Sequence, residues 1–169
     1  MIRVMGAVLV AAGAAWIGFQ AAAGLRRRVR ALEEMAAGLA LLERDLELTG
    51  PPLPQLLARG GARSQGPARA LFLGCAQGMD NLAREDFSAL WRRQLGLQEE
   101  LGPEGQAILS PLGDTLGRYD SARQGEALSA ARRRLEELSA RLGEDSRRQC
   151  RVYQALGLSG GAFLVILLL

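Results

Sequence analysis

Hydrophobic residues are concentrated in unbroken runs at the two ends of this chain and spaced periodically through its middle. Val4 to Ala23 is a run of 20 residues without a formal charge, and Val152 to Leu169 runs uncharged to the last residue. At about 1.5 Å per residue the first run makes a helix of about 30 Å, the hydrocarbon thickness of a bilayer. The strongly apolar part of the second, Leu156 to Leu169, reaches about 21 Å, enough to anchor by thinning the bilayer or by ending in the far leaflet. Its final eight residues, Ala162 to Leu169, offer no polar face to water. The pattern predicts transmembrane anchors at residues 1–25 and 152–169, with a domain of residues 26–151 between them.

The middle repeats with the period of a helix. Leu25, Val29, Leu32, Ala36, Leu39, Leu42 and Leu46 step by three and four, one apolar stripe on a helix that leaves the first anchor. Thr49-Gly50-Pro51-Pro52 stops it, and Pro54 suits the first turn of a short second helix that the stretch from Gly60 to Gly66 ends. A third helix is predicted over 67–77 with Leu71, Phe72 and Cys75 inward, and a fourth over 83–100 with Phe87, Leu90, Trp91 and Leu95 inward. Gly102-Pro103 breaks the chain before a fifth helix over 103–116 that carries Ile108, Leu109 and Leu112.

The last helix is the longest, since Leu128, Ala131, Leu135, Leu138, Leu142 and Val152 keep a three-four rhythm into the second anchor. Ser121 with Gln124 three positions on reads as a capping box at its start, with Asp120 where the helix dipole favours negative charge. No segment alternates in the manner of a strand, and Ala, Leu, Arg and Glu are strong helix formers. The expected fold is therefore all-α: an antiparallel helical bundle of about six helices, flanked by N-terminal and C-terminal transmembrane helices.

Charge changes the picture once it is divided. The whole chain carries +3, but Arg26, Arg27, Arg28, Arg30, Arg147, Arg148 and Arg151 all flank the apolar runs. Between residues 31 and 146, 13 arginines stand against 18 acids, a net of −5. An acidic body argues against binding to a phosphate backbone, so no nucleic-acid partner is expected. The flanking arginines place the middle domain on the cytoplasmic side by the positive-inside rule. A cleaved signal peptide ending at Ala21-Ala22-Ala23 is the competing reading of the N-terminus; the four arginines just beyond it disfavour export.

Candidate chemistry is sparse. With neither Lys nor His in the chain, the usual general base and commonest metal ligand are missing. Cys75 and Cys150, the two cysteines, lack metal-ligand spacing and are expected to be reduced thiols. Cys75 reads as a core residue. The pairs Glu33-Glu34, Glu99-Glu100, Glu136-Glu137 and Glu144-Asp145 point about 100° apart on a helix and read as solvated faces. Arg132-Arg133-Arg134 stands at helix-neighbour spacing from Glu136 and Glu137, so self-pairing is expected. No catalytic, cofactor-binding or metal site is expected, and the protein is read as a non-enzyme.

One corner mixes residue types suited to an interface. Leu116-Gly117-Arg118-Tyr119-Asp120, with Gln124, joins two of the longer predicted helices and combines an aromatic, a cation and an acid. The plainer reading is a helix–helix corner in which Gly117 ends one helix and Asp120 with Gln124 caps the next. Leu116, Gly117, Tyr119, Asp120 and Gln124 are the candidate interface or structural motif.

Two terminal anchors, the Pro52-Leu53-Pro54 turn, Leu112-Gly113-x-x-Leu116-Gly117 followed by Asp120 and Gln124, and Tyr153-x-x-Leu156-Gly157-x-x-Gly160 before the tail together resemble the stage III sporulation protein AB family. The likeness covers essentially the whole chain. Tyr119, where the family commonly has Ser, and Gln55, where an acid is usual, depart from it. The resemblance implies a mother-cell membrane protein, facing the forespore, of the channel that joins the two cells during endospore formation. It implies a cytoplasmic domain similar to the helical domains of type II secretion and type IV pilus inner-membrane platform proteins. The implied partners are the AA-type stage III sporulation ATPase, other stage III channel proteins and the membrane, with no cofactor. A generic membrane-tethered helical adaptor unrelated to sporulation is the alternative.

Overall fold

The structure, a computed structural model, describes the backbone of residues 2–79, 86–116, 118 and 120–168, and the side chains of 23–79, 86–116, 118 and 120–145. Among the described residues every regular element is helical: α1 (Ile2–Thr49), α2 (Leu53–Arg63), α3 (Gly66–Gly78), α4 (Phe87–Gly96), a 3-10 turn (Glu99–Leu101), α5 (Gly102–Leu109), α6 (Leu112–Thr115) and α7 (Ser121–Leu168). Contacts group them into two units, Arg28–Ala140 and Met1–Arg27 with Arg141–Leu169. The second of these is described as helical backbone at the start of α1 and the end of α7. Among the described residues no helix is long and apolar enough to cross a membrane. The side chains of the expected anchors, all but Ala23 in the first run and the whole of Val152 to Leu169, lie outside the described residues.

In the unit Arg28–Ala140 the stripe of α1 goes inward as its period predicts, with Leu32, Leu39 and Leu42 fully buried. Each such leucine contributes about 1.5–3 kcal/mol by leaving water. Gly50 ends the helix at φ 50°, with its N–H donating to the Leu46 carbonyl at 3.0 Å. A left-handed residue at this position costs glycine little and any other residue more. Pro52 then supplies the carbonyl that accepts from Gln55 N at 2.9 Å and Leu56 N at 3.0 Å, opening α2.

One expected boundary holds and two move, each for a physical reason. α2 ends at Arg63, inside the stretch from Gly60 to Gly66 expected to end it, and Gly60 and Gly61 lie in its last turn. They are helical residues without a Cβ, placed where Leu42 of α1 and Leu73 of α3 crowd in. Helical glycine costs about 1 kcal/mol against alanine, and the close approach of three helices offsets it. The fourth helix does not extend to Glu100. It stops at Gly96, and a 3-10 turn follows in which Leu101 is buried; residues 83–85 of its expected start lie outside the described residues. The fifth helix splits into α5 and α6 at Ser110-Pro111, because a proline has no N–H to continue the ladder.

Candidate functional site

That split makes the joint that holds α4 to the second half of the domain. Gly113 N donates to Ser110 O at 3.3 Å, an i to i+3 bond in place of the helical one to Leu109. The freed Leu109 carbonyl accepts from Trp91 Nε1 at 2.9 Å. Trp91 is fully buried, and its ring covers Gly113 so closely that a Cβ there would lie 2.8 Å from Cδ1. Leu112 and Leu116 are buried beside it. On the surface Arg92 of α4 grips both carboxylate oxygens of Asp114 of α6 at 2.8 Å. The Leu-Gly-x-x-Leu spacing at 112–116 is thus a packing motif: two leucines inward and a glycine under an indole.

Beyond Leu116 lies the corner singled out in the sequence. Arg118 reaches back to Asp86, the residue before α4, at 2.6 Å, and Ser88 Oγ donates to the same carboxylate at 2.8 Å. The Ser88 hydrogen bond and then the Arg118 guanidinium hold the Asp86 carboxyl below its ordinary range. Asp120 O accepts from Gln124 N at 3.1 Å, the first bond of α7. Asp120 is therefore the N-cap, as the corner reading of Asp120 with Gln124 has it, one residue before the capping box that starts at Ser121. Gly117 and Tyr119 lie outside the described residues. Of the five candidate residues, Leu116 belongs to the core, Asp120 caps α7 and Gln124 sits half-buried in its first turn.

Next to this corner the last turns of α1 and the first turns of α7 leave a groove of about 370 Å³. Glu43, Leu46 and Glu47 form one wall; Ser121, Ala122, Gly125, Glu126 and Ser129 form the other. Glu43 accepts from Arg132 Nε at 3.2 Å, and Arg132 also pairs with Glu136 at 2.9 Å. Glu136 and then Glu43 raise the pKa of Arg132. The pairing of Arg132 with Glu136 was legible from the spacing of four. The cross-helix bond to Glu43, 89 residues away, was not. No ion pair closes on Glu47 or Glu126 among the described residues.

Sequence reasoning missed this groove because it weighed adjacent carboxylates, whereas the groove acids stand at i and i+4 on α1 and on a separate helix. Its one signal was the small-residue series Ser121, Ala122, Gly125 and Ser129 at helical spacing. Elsewhere the side chains serve the core. Cys75 is fully buried, and burial pushes its thiol up to about 12, so it is a packed hydrophobe with little thiolate. Among the described residues no cluster of three or more acids or thiols has the makings of a metal site.

The model of the family described as stage III sporulation protein AB matches residues 3–169. Stage III sporulation protein AB of Bacillus subtilis (strain 168) is 23% identical over 172 residues, with all of both chains covered. A solved structure of stage III sporulation protein AB, 20% identical, aligns with a TM-score of 0.61 over 72% of this chain and 97% of its own. At that identity the structural match speaks for the fold. With a family match over nearly its full length, the chain belongs to the stage III sporulation protein AB family.

Proposed function

We propose that this chain is a membrane-anchored docking component of the channel between mother cell and forespore, and that it acts by binding protein partners and not as a catalyst. The whole-length family match carries the sporulation role. The anchors at residues 1–25 and 152–169 are supported by uncharged runs long enough to enter a bilayer, each with arginines on its inner side. In this reading the bundle faces the mother-cell cytoplasm and receives the AA-type stage III ATPase, while other stage III proteins complete the channel. A domain held at both ends presents a fixed surface to a motor without chemistry of its own.

The test is capture of the ATPase by the full chain in detergent, together with protease protection of the chain in sealed vesicles. Retained ATPase, and termini shielded while the bundle is cleaved from the cytoplasmic side, are the expected results. A chain that washes off membranes with carbonate would end the anchor proposal, and a chain that retains no ATPase would end the docking one.

A further inference from the structure

The groove between α1 and α7 is lined by charge that the fold leaves unused. Glu47 on one wall is exposed and unpaired among the described residues, as is Glu126 on the other. Glu43 is different, being held by Arg132. We infer that this groove takes an arginine- or lysine-bearing helix of a partner protein, with its cations between Glu47 and Glu126. The inference rests on the docking role proposed above and specifies the surface and the chemistry of the partner.

Shape and charge both choose this occupant. The α7 wall runs from Ser121 to Ser129, about 12 Å or two helical turns, the length over which a helix presents side chains at i, i+4 and i+7. The residues along it are small, and a Cβ added at Gly125 would meet nothing within 4 Å, so a second backbone can come close. Leu46, buried at the base of the groove, suits the aliphatic stem of an arginine or lysine whose head reaches a carboxylate. The charged residues lining the groove are all acids, Glu43, Glu47 and Glu126, so an anionic helix, a nucleic acid or an anionic lipid is disfavoured where a cationic helix is attracted.

Charge reversal in the full chain, in detergent, tests this. Two labelled helical peptides serve as probes, one with an alanine face and arginines at i and i+4, the other with glutamates at those positions. Wild type is expected to bind the arginine peptide at least about tenfold more tightly than the glutamate peptide, less so at high salt. E47R/E126R is expected to invert that preference. Circular dichroism should show the same helix content and midpoint, since both residues are exposed.

Equal binding of both peptides, or a variant whose preference does not change, overturns the inference. So does a dimer of the full chain in sedimentation that E47R/E126R dissolves, because the occupant would then be a second copy. ATPase capture read in parallel separates the two proposals. Capture by wild type and variant alike rejects the groove and leaves docking in place; no capture by wild type rejects docking, while the peptide arm still judges the groove.

Discussion

The joint around Trp91 and the groove between α1 and α7 are built from similar parts and finished in opposite ways. In each, a glycine leaves a helix face bare of a side chain. At Gly113 the space is taken by an indole that also satisfies the Leu109 carbonyl, left free because Gly113 N turns to Ser110 O. At Gly125 the space is empty, and the neighbouring acids Glu47 and Glu126 meet no cation among the described residues. Glycine therefore has two uses in one domain. One glycine is required by what already covers it, and the other leaves room for something that is not part of the chain.

Removing the indole is the severest way to break the contrast. Trp91→Ala should cost about 3–5 kcal/mol, measured by denaturant unfolding of the full chain in detergent; a loss below about 1 kcal/mol would mean that the joint does not hold the fold. The closed half can also be probed by its thiol. With burial pushing the Cys75 thiol up to about 12, the native chain should be labelled at least about tenfold more slowly than the unfolded chain, read by mass spectrometry at that peptide. The sign for stability follows from linkage. Above about pH 9 the unfolded thiol ionises and the folded one does not, so this contribution is complete below pH 9 and declines as pH rises toward 12.

The same substitution at the two glycines should then give opposite signs. Gly113→Ala forces a Cβ against the indole and should destabilise by about 1–3 kcal/mol. Gly125→Ala meets nothing and restricts the unfolded chain, so it should stabilise by about 0.5–1 kcal/mol. If both lower the midpoint, the groove is not open. The smallest effect belongs to the charges beside it. Arg132→Met keeps the packing stem and loses two ion pairs at a half-buried site, for about 1 kcal/mol or less. It also frees Glu43, so the arginine peptide should bind the groove more tightly in this variant.

Much of the fold was legible because burial on one helix face leaves a mark of fixed period. Leu32, Leu39, Leu71, Phe72, Trp91, Leu128 and Leu135 were assigned inward by spacing and are buried. The errors came where a local rule met a tertiary contact. Gly60 and Gly61 open the stretch expected to end α2, yet the packing of α1 and α3 on α2 keeps them helical and the chain breaks only after Arg63. The candidate corner was legible as a corner and less so in its parts. Leu116 is core and Asp120 with Gln124 opens α7 as the corner reading had it, while the tie from Arg118 to Asp86 spans 32 residues and has no periodic signature.

The sequence by itself determined the helical class, the stops at Gly50 and Pro52, the inward faces and the family, because these depend on composition and on spacing within one segment. Only the tertiary structure decided which glycine is filled and which is open, that Trp91 answers the Leu109 carbonyl that Gly113 N leaves free, and that Glu43 is held by Arg132 while Glu47 and Glu126 meet no cation among the described residues. These are relations between residues brought together by folding, and a carboxylate's partner is set by distance in space, which a single sequence does not encode.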